Sequence, residues 1–243
     1  MENKLKGRLC LCVLAALAVY SCGDLKESDD LPIPEIRFSE VPGDLLADGT
    51  AVTTWEIDLN PAQKVAPGQR KLAIASTIGQ LLINGELKKS GDLLLNENGK
   101  TSVSIKHPLS GGSGTLTTFI GDGLKTASKT LSFKSAYPDS VIIDVSKAFL
   151  SDTSSLDVSC FFLRSSGKVS FGLPISYELL DANDKIALKA VFNPSRTASD
   201  SSGKSKSKLM LGKIVPGIYQ IRVGYKDDDG VTHYFPNKKP ITI

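Results

Sequence analysis

Thr54-Trp55-Glu56-Ile57-Asp58-Leu59 decides the fold class. Large apolar side chains at 55, 57 and 59 alternate with polar ones at 54, 56 and 58. Successive side chains of a strand point to opposite faces, so this hexapeptide has one dry face and one wet face.

The same period recurs outward from it. Leu72 and Ile74 alternate with Lys71 and Ala73, Val103 and Ile105 with Ser102, Ser104 and Lys106, and Leu131 and Phe133 with Thr130 and Ser132. Turn signals separate these runs at Pro67-Gly68, Asn84-Gly85, Asn98-Gly99 and Gly121-Asp122-Gly123. Asn98-Gly99 is the sharpest hairpin signal, since both residues tolerate positive φ. A second cycle follows Ser135-Ala136-Tyr137-Pro138: Val141 to Val145, Leu156 to Phe162, Ile175 to Leu179, Ile186 to Phe192, Leu209 to Leu211, Tyr219 to Tyr225, Val231 to Phe235 and Ile241 to Ile243. Short strands with one wet face at this density predict an all-β chain of two tandem antiparallel β-sandwiches, over residues 36–135 and 136–243. The connection at Ala136 to Pro138 is short and contains proline, which predicts a stiff joint.

Four fragments of the first half carry a family resemblance. They are Ala47-Asp48-Gly49-Thr50, Ser76-Thr77-Ile78-Gly79, Asn96-Glu97-Asn98-Gly99-Lys100-Thr101-Ser102-Val103 and Ala127-Ser128-Lys129-Thr130-Leu131-Ser132-Phe133. In this order and spacing they resemble the bacterial Ig-like domains of the invasin and intimin type, over nearly all of Ile36 to Lys134. In the second half, Gly172 to Asp184 and Pro216 to Val223 are Ig-like without indicating a subfamily. The resemblance implies an extracellular spacer or adhesion module. It transfers no catalytic residues.

The N-terminus reads as an export signal. Lys4, Lys6 and Arg8 precede an apolar run from Leu9 to Ala18, then Val19-Tyr20-Ser21-Cys22. The run is far short of the ~20 residues needed to span a bilayer, and a small residue precedes the cut. The order predicts a signal peptide over 1–21 ending in a relaxed lipobox, with Cys22 lipidated; Tyr20 stands where a small residue is usual. Residues 22–35 are polar, acidic and proline-broken, which predicts an unfolded tether. Ten such residues reach roughly 30 Å when extended. The acids behind Cys22 suit a surface-export signal and a plain solvated linker equally.

Removing the signal takes +2 from the formal +3 and leaves +1, which argues against nucleic acid as a partner. Cys10 and Cys12 leave with the signal and Cys22 is assigned to lipid, so Cys160 has no partner for a disulfide. It shares a strand face with Leu156, Val158 and Phe162 and reads as core packing.

Chemistry finds little purchase. His107 precedes a proline, His233 lies in a hairpin strand, and neither reads as a triad member. No metal-ligand spacing is present, and Asp181 to Asp184 and Asp227 to Gly230 read as turns. We therefore expect no catalytic residue, no metal and no cofactor. Asn193 to Lys208, serine-rich with Lys204, Lys206 and Lys208, reads as a long basic loop. Tyr137, Phe161, Tyr234 and Phe235 are the candidate exposed rings. The expectation is an outer-membrane protein held by its N-terminal lipid and facing the cell exterior, with the periplasmic face as the other placement. Its work would be adhesion, or capture of a glycan or protein. The alternative is a structural spacer or accessory subunit of an envelope assembly. Ligand and oligomeric state are left open.

Overall fold

The computed structural model describes residues 35–40, 43–60, 70–120, 125–151 and 154–243. The expected signal peptide, Cys22 and nearly all of the tether lie outside them, as do the Pro67-Gly68 and Gly121-Asp122-Gly123 turns.

The first half contains β1 (Glu35–Phe38), β2 (Leu45–Ala47), β3 (Val52–Asn60), β4 (Lys71–Ser76), β5 (Gln80–Ile83), β6 (Glu86–Lys88), β7 (Ser90–Leu94), β8 (Lys100–Lys106), β9 (Gly112–Ile120) and β10 (Lys125–Ser135). They form two sheets, in the orders β1-β3-β8-β5-β6 and β2-β10-β9-β4-β7. Trp55, Ile57, Leu72, Ile74, Leu81, Ile105, Leu116 and Phe133 fill the space between. Each such side chain contributes roughly 1.5–3 kcal/mol by burial.

The second half contains β11 (Ser140–Val145), β12 (Ser155–Leu163), β13 (Pro174–Leu180), β14 (Ala190–Asn193), β15 (Arg196–Ala198), β16 (Lys204–Leu211), β17 (Ile218–Lys226), β18 (Thr232–Tyr234) and β19 (Lys239–Thr242). One sheet runs β11-β12-β16-β14. The other runs β15-β13-β17-β18, with β19 also on β17. Leu156, Val158, Cys160, Phe162, Ile175, Tyr177, Leu209, Ile221 and Val223 form its core.

Both halves follow the same path. In the first, β4 is followed by β5 in the opposite sheet beside β8, then by β7, which returns to β4. In the second, β13 is followed by β14 beside β16, then by β15, which returns to β13. A parallel contact to the last strand also recurs, β2 with β10 and Phe149 with Thr242.

Three expectations change. Asn98-Gly99 forms a tight turn, with Gly99 at φ 71°, but it carries the chain from one sheet to the other, because β7 pairs with β4 and β8 with β3 and β5. The two-residue hairpin is Asn84-Gly85, where φ values of 52° and 82° supply the positive pair that a type I′ turn requires. Ile186 to Phe192 is strand only from Ala190, with one isolated bridge from Ile186 to Leu180. Asn193 to Lys208 is no long loop: it holds β15, the Asp200–Gly203 turn and the start of β16. Lys204, Lys206 and Lys208 point outward from β16 while Ser205 and Ser207 point inward. The inward serines are satisfied, since the Tyr177 hydroxyl donates to Ser205 Oγ (2.9 Å) and Ser207 Oγ to the Pro194 carbonyl (2.6 Å).

Candidate functional site

The two sandwiches meet through a dense set of hydrogen bonds. Ser170 lies on the β12–β13 connection; its Oγ donates to the Ala47 carbonyl (2.6 Å) and accepts from the Ala136 amide (2.8 Å). The Lys168 amide donates to Asp48 O and the Phe171 amide to Leu109 O. From the β17–β18 turn, Asp228 accepts from Ser135 N (3.0 Å) and Ser135 Oγ (2.7 Å), while its own amide donates to Tyr137 OH (2.7 Å). Tyr137 stacks on Tyr225, and Tyr225 on His233, at ring separations of 5.3 and 5.2 Å. Burial, with the Asp228 charge beside it, pushes the Tyr137 hydroxyl up to about 12.

Asp48 is a second carboxylate at this junction. Burial pushes its carboxyl up, but amide bonds from Ala51 and Thr50 and the nearby His107 and Arg164 overcome that and hold it below the ordinary value. His107 is itself buried, with Nδ1 donating to the Leu46 carbonyl (2.7 Å), Nε2 against Thr53 Oγ1 (2.7 Å), and its ring edge-on to Phe133. His233 pairs with Asp227 at 2.6 Å on the far side of Tyr225. The two histidines therefore stand in separate polar settings, as their sequence positions indicate.

The most organised side-chain cluster facing solvent lies on the outer face of the β15-β13-β17-β18 sheet. Arg196, Ser176, Gly224 and Tyr234 are successive cross-strand partners, one from each strand, so they share that face. One row along, Glu178 opposes Arg222. Glu178 Oε2 accepts from Arg222 Nε (3.0 Å) and Nη2 (2.5 Å), and Glu178 Oε1 accepts from the Tyr234 hydroxyl (2.5 Å). The Arg222 guanidinium lies 4.1 Å from the Tyr234 ring centroid. Gly224 is required beneath that ring, because a Cβ there would stand 2.8 Å from Tyr234 Cδ1 and 2.7 Å from the His233 carbonyl. Burial and the Glu178 bond raise the Tyr234 hydroxyl above its usual value. The Cα atoms of Arg196 and Tyr234 are three strand spacings apart, about 14 Å.

Of the four candidate rings, Phe161 and Tyr234 are exposed, at 36% and 39%. Phe235 is buried against Phe162 and Tyr137 is half-buried in the junction, so the expectation of exposure fails for these two. Phe161 sits on the other outer face, with Lys204 5.6 Å from its ring and Ile142 beside it. Cys160 is a free, buried thiol, as its strand face predicts, and burial pushes it up to about 12. Asp181 and Asp227 close their turns by accepting backbone amides. Among the described residues no group of three His, Cys, Asp or Glu is placed to hold a metal ion. Two open clefts of about 340 and 680 Å³ lie in the first sandwich, bordered by Glu40, Asp44 and Lys129 and by Arg37, Glu56 and Lys100 respectively. The Tyr234 cluster could not be found from spacing, since its members come from four strands whose register the sequence does not display.

No protein-family model matches the chain, and no curated protein matches it. Solved structures do. The Yersinia pseudotuberculosis adhesin InvE aligns over 87% of this chain and 60% of its own, at TM-score 0.57 and 13% identity. Invasin, described as a bacterial integrin-binding protein, aligns over 86% of this chain and 39% of its own, at 0.57 and 13%. A tetra-tandem repeat from the extending region of a large adhesion protein aligns over 86% and 49%, at 0.51 and 14%. In fold, then, the two sandwiches are similar to the Ig-like domains of these adhesins. The chain spans only part of each of these longer proteins.

Proposed function

We propose that this chain is a non-catalytic lipoprotein of the outer membrane, anchored through Cys22 and facing the cell exterior. Its tandem Ig-like sandwiches would serve adhesion, or the capture of a glycan or protein. The observation that carries this reading is the hydrogen-bonded junction through Ser170, Asp48 and Asp228. A chain anchored at its N-terminus, with a tether and two sandwiches fixed to one another, holds the second sandwich away from the lipid headgroups. The likeness in fold to adhesin domains supports the same reading.

The junction also favours a second reading, a stiff spacer or accessory subunit of an envelope assembly on the periplasmic side. Protease accessibility on intact cells separates the two, with Cys22→Ala as the anchoring control. The surface reading expects digestion of the wild type and release of the variant from the membrane. Full protection until the outer membrane is opened would overturn it in favour of the spacer.

A further inference from the structure

We propose that the outer face of the β15-β13-β17-β18 sheet is a subsite for a carboxylate-bearing sugar, stacked on Tyr234 and paired with Arg196. The inference rests on the capture reading and specifies its ligand class.

Side-chain size along one cross-strand row provides the geometry. The two central strands contribute the small residues Ser176 and Gly224, and the flanking strands the long residues Arg196 and Tyr234. Small side chains between large ones make a trough about 14 Å across between flanking Cα atoms. Tyr234 lies over Gly224, and its hydroxyl reaches Glu178 on β13; Ser176 and the exposed Arg196 continue the row beyond it. The row therefore sets an aromatic ring, a small hydroxyl side chain and a guanidinium side by side on one face.

The Tyr234 wall is held before any ligand arrives. Its hydroxyl is tied to Glu178, and one ring face is backed by Arg222. A ring already fixed in place loses little conformational freedom on binding. The C–H groups of a pyranose are weakly positive and suit the negative face of an aromatic ring.

Charge selects the sugar. Arg196, Arg222 and Lys226 stand on this face against Glu178, and Glu178 is occupied by Arg222 and Tyr234. Arg196 is exposed and forms no ion pair among the described residues, which leaves its planar fork free for a carboxylate. The Ser176 hydroxyl on the floor can bond a ring hydroxyl.

The test is an amide-resolved NMR titration of the Cys22→Ala chain, exported but not lipidated, with methyl glucuronoside and with neutral methyl glucoside. The expected result is shifts concentrated at Ser176, Arg196, Gly224 and Tyr234, with a Kd on the order of 1–10 mM for the uronoside and weaker binding of the glucoside. Arg196→Gln should reduce uronoside affinity about fivefold or more and leave the glucoside unchanged. Tyr234→Ala should abolish both, while Tyr234→Phe retains stacking and guards against loss of the fold. No shift at these residues up to about 50 mM uronoside, equal affinity for the two sugars, or indifference to Arg196→Gln would each overturn the proposal. Because the titration uses soluble chain, its failure leaves the surface reading to the protease experiment, and the reverse also holds.

Discussion

Gly167 and Asp48 lie so close across the junction that glycine is the only residue the contact admits. A Cβ at 167 would stand 2.5 Å from Asp48 Oδ2 and 2.8 Å from Asp48 Cβ. Gly167 also has φ +73°, a region that L side chains rarely adopt. Five residues on, Gly172 has φ +82° but nothing within 4 Å of its would-be Cβ. Gly172→Ala should therefore cost about 1 kcal/mol of backbone strain alone, and Gly167→Ala about 2 kcal/mol or more. Only Gly167→Ala should broaden the distance distribution between spin labels placed one on each sandwich. Equal distributions for the two variants would show that the contact does not hold the joint.

Ser170 serves both sides of the same joint. Its hydroxyl donates to Ala47 O and accepts from Ala136 N, and its own amide donates to Ala136 O. Ser170→Ala removes two bonds and leaves a buried amide and a buried carbonyl unpaired, at about 1–3 kcal/mol for each group left so. Ser170→Cys restores size without an equivalent acceptor and should recover little. Urea unfolding checks both; a loss below about 0.5 kcal/mol for Ser170→Ala would mean that water replaces the hydroxyl.

Acid should loosen the junction through Asp48. Its carboxyl is held below the ordinary 3.8 in the folded chain. A depressed pKa means that the folded state favours the ionised form. The stabilisation is therefore present above the unfolded value and is lost as pH falls through the folded one. Asp48→Asn should be less stable than wild type at pH 7, with the gap narrowing progressively below about pH 4. Paired urea titrations across that range measure it; a gap independent of pH would assign the loss to packing.

Period-two alternation revealed the core because burial and hydropathy coincide there. Trp55, Ile57 and Leu59, or Leu156, Val158, Cys160 and Phe162, are apolar and inward at every second position. Where the two quantities separate, the pattern misleads. Lys204 to Lys208 also alternates, but its inward residues are serines held by Tyr177 and the Pro194 carbonyl, so a strand reads as a polar loop. His233-Tyr234-Phe235 is three rings in a row, and only the register with β17 decides that Tyr234 faces out and Phe235 in. Asn98-Gly99 specifies a tight turn, while the choice between hairpin and sheet crossing depends on which strand each flank pairs with. The Tyr234 trough depends on register throughout, which is why it emerges only from the folded chain.

Cys160 should be chemically silent while the second sandwich is folded. Its thiol lies in the core beside Tyr177, and burial pushes it up to about 12. At pH 8 the thiolate fraction is then on the order of 10⁻⁴, and the thiolate is the reactive form. In a chain begun at Gly23, without Cys10, Cys12 and Cys22, Cys160 is the single thiol. A disulfide reagent at pH 8 should label none of it in buffer and one equivalent in denaturing urea. The labelling rate at intermediate urea should track the unfolded population, because the same core contacts that raise the pKa exclude the reagent. Fast labelling in buffer would require the β12–β16 pairing to open without global unfolding, and would place this sandwich at the low-stability end of the molecule.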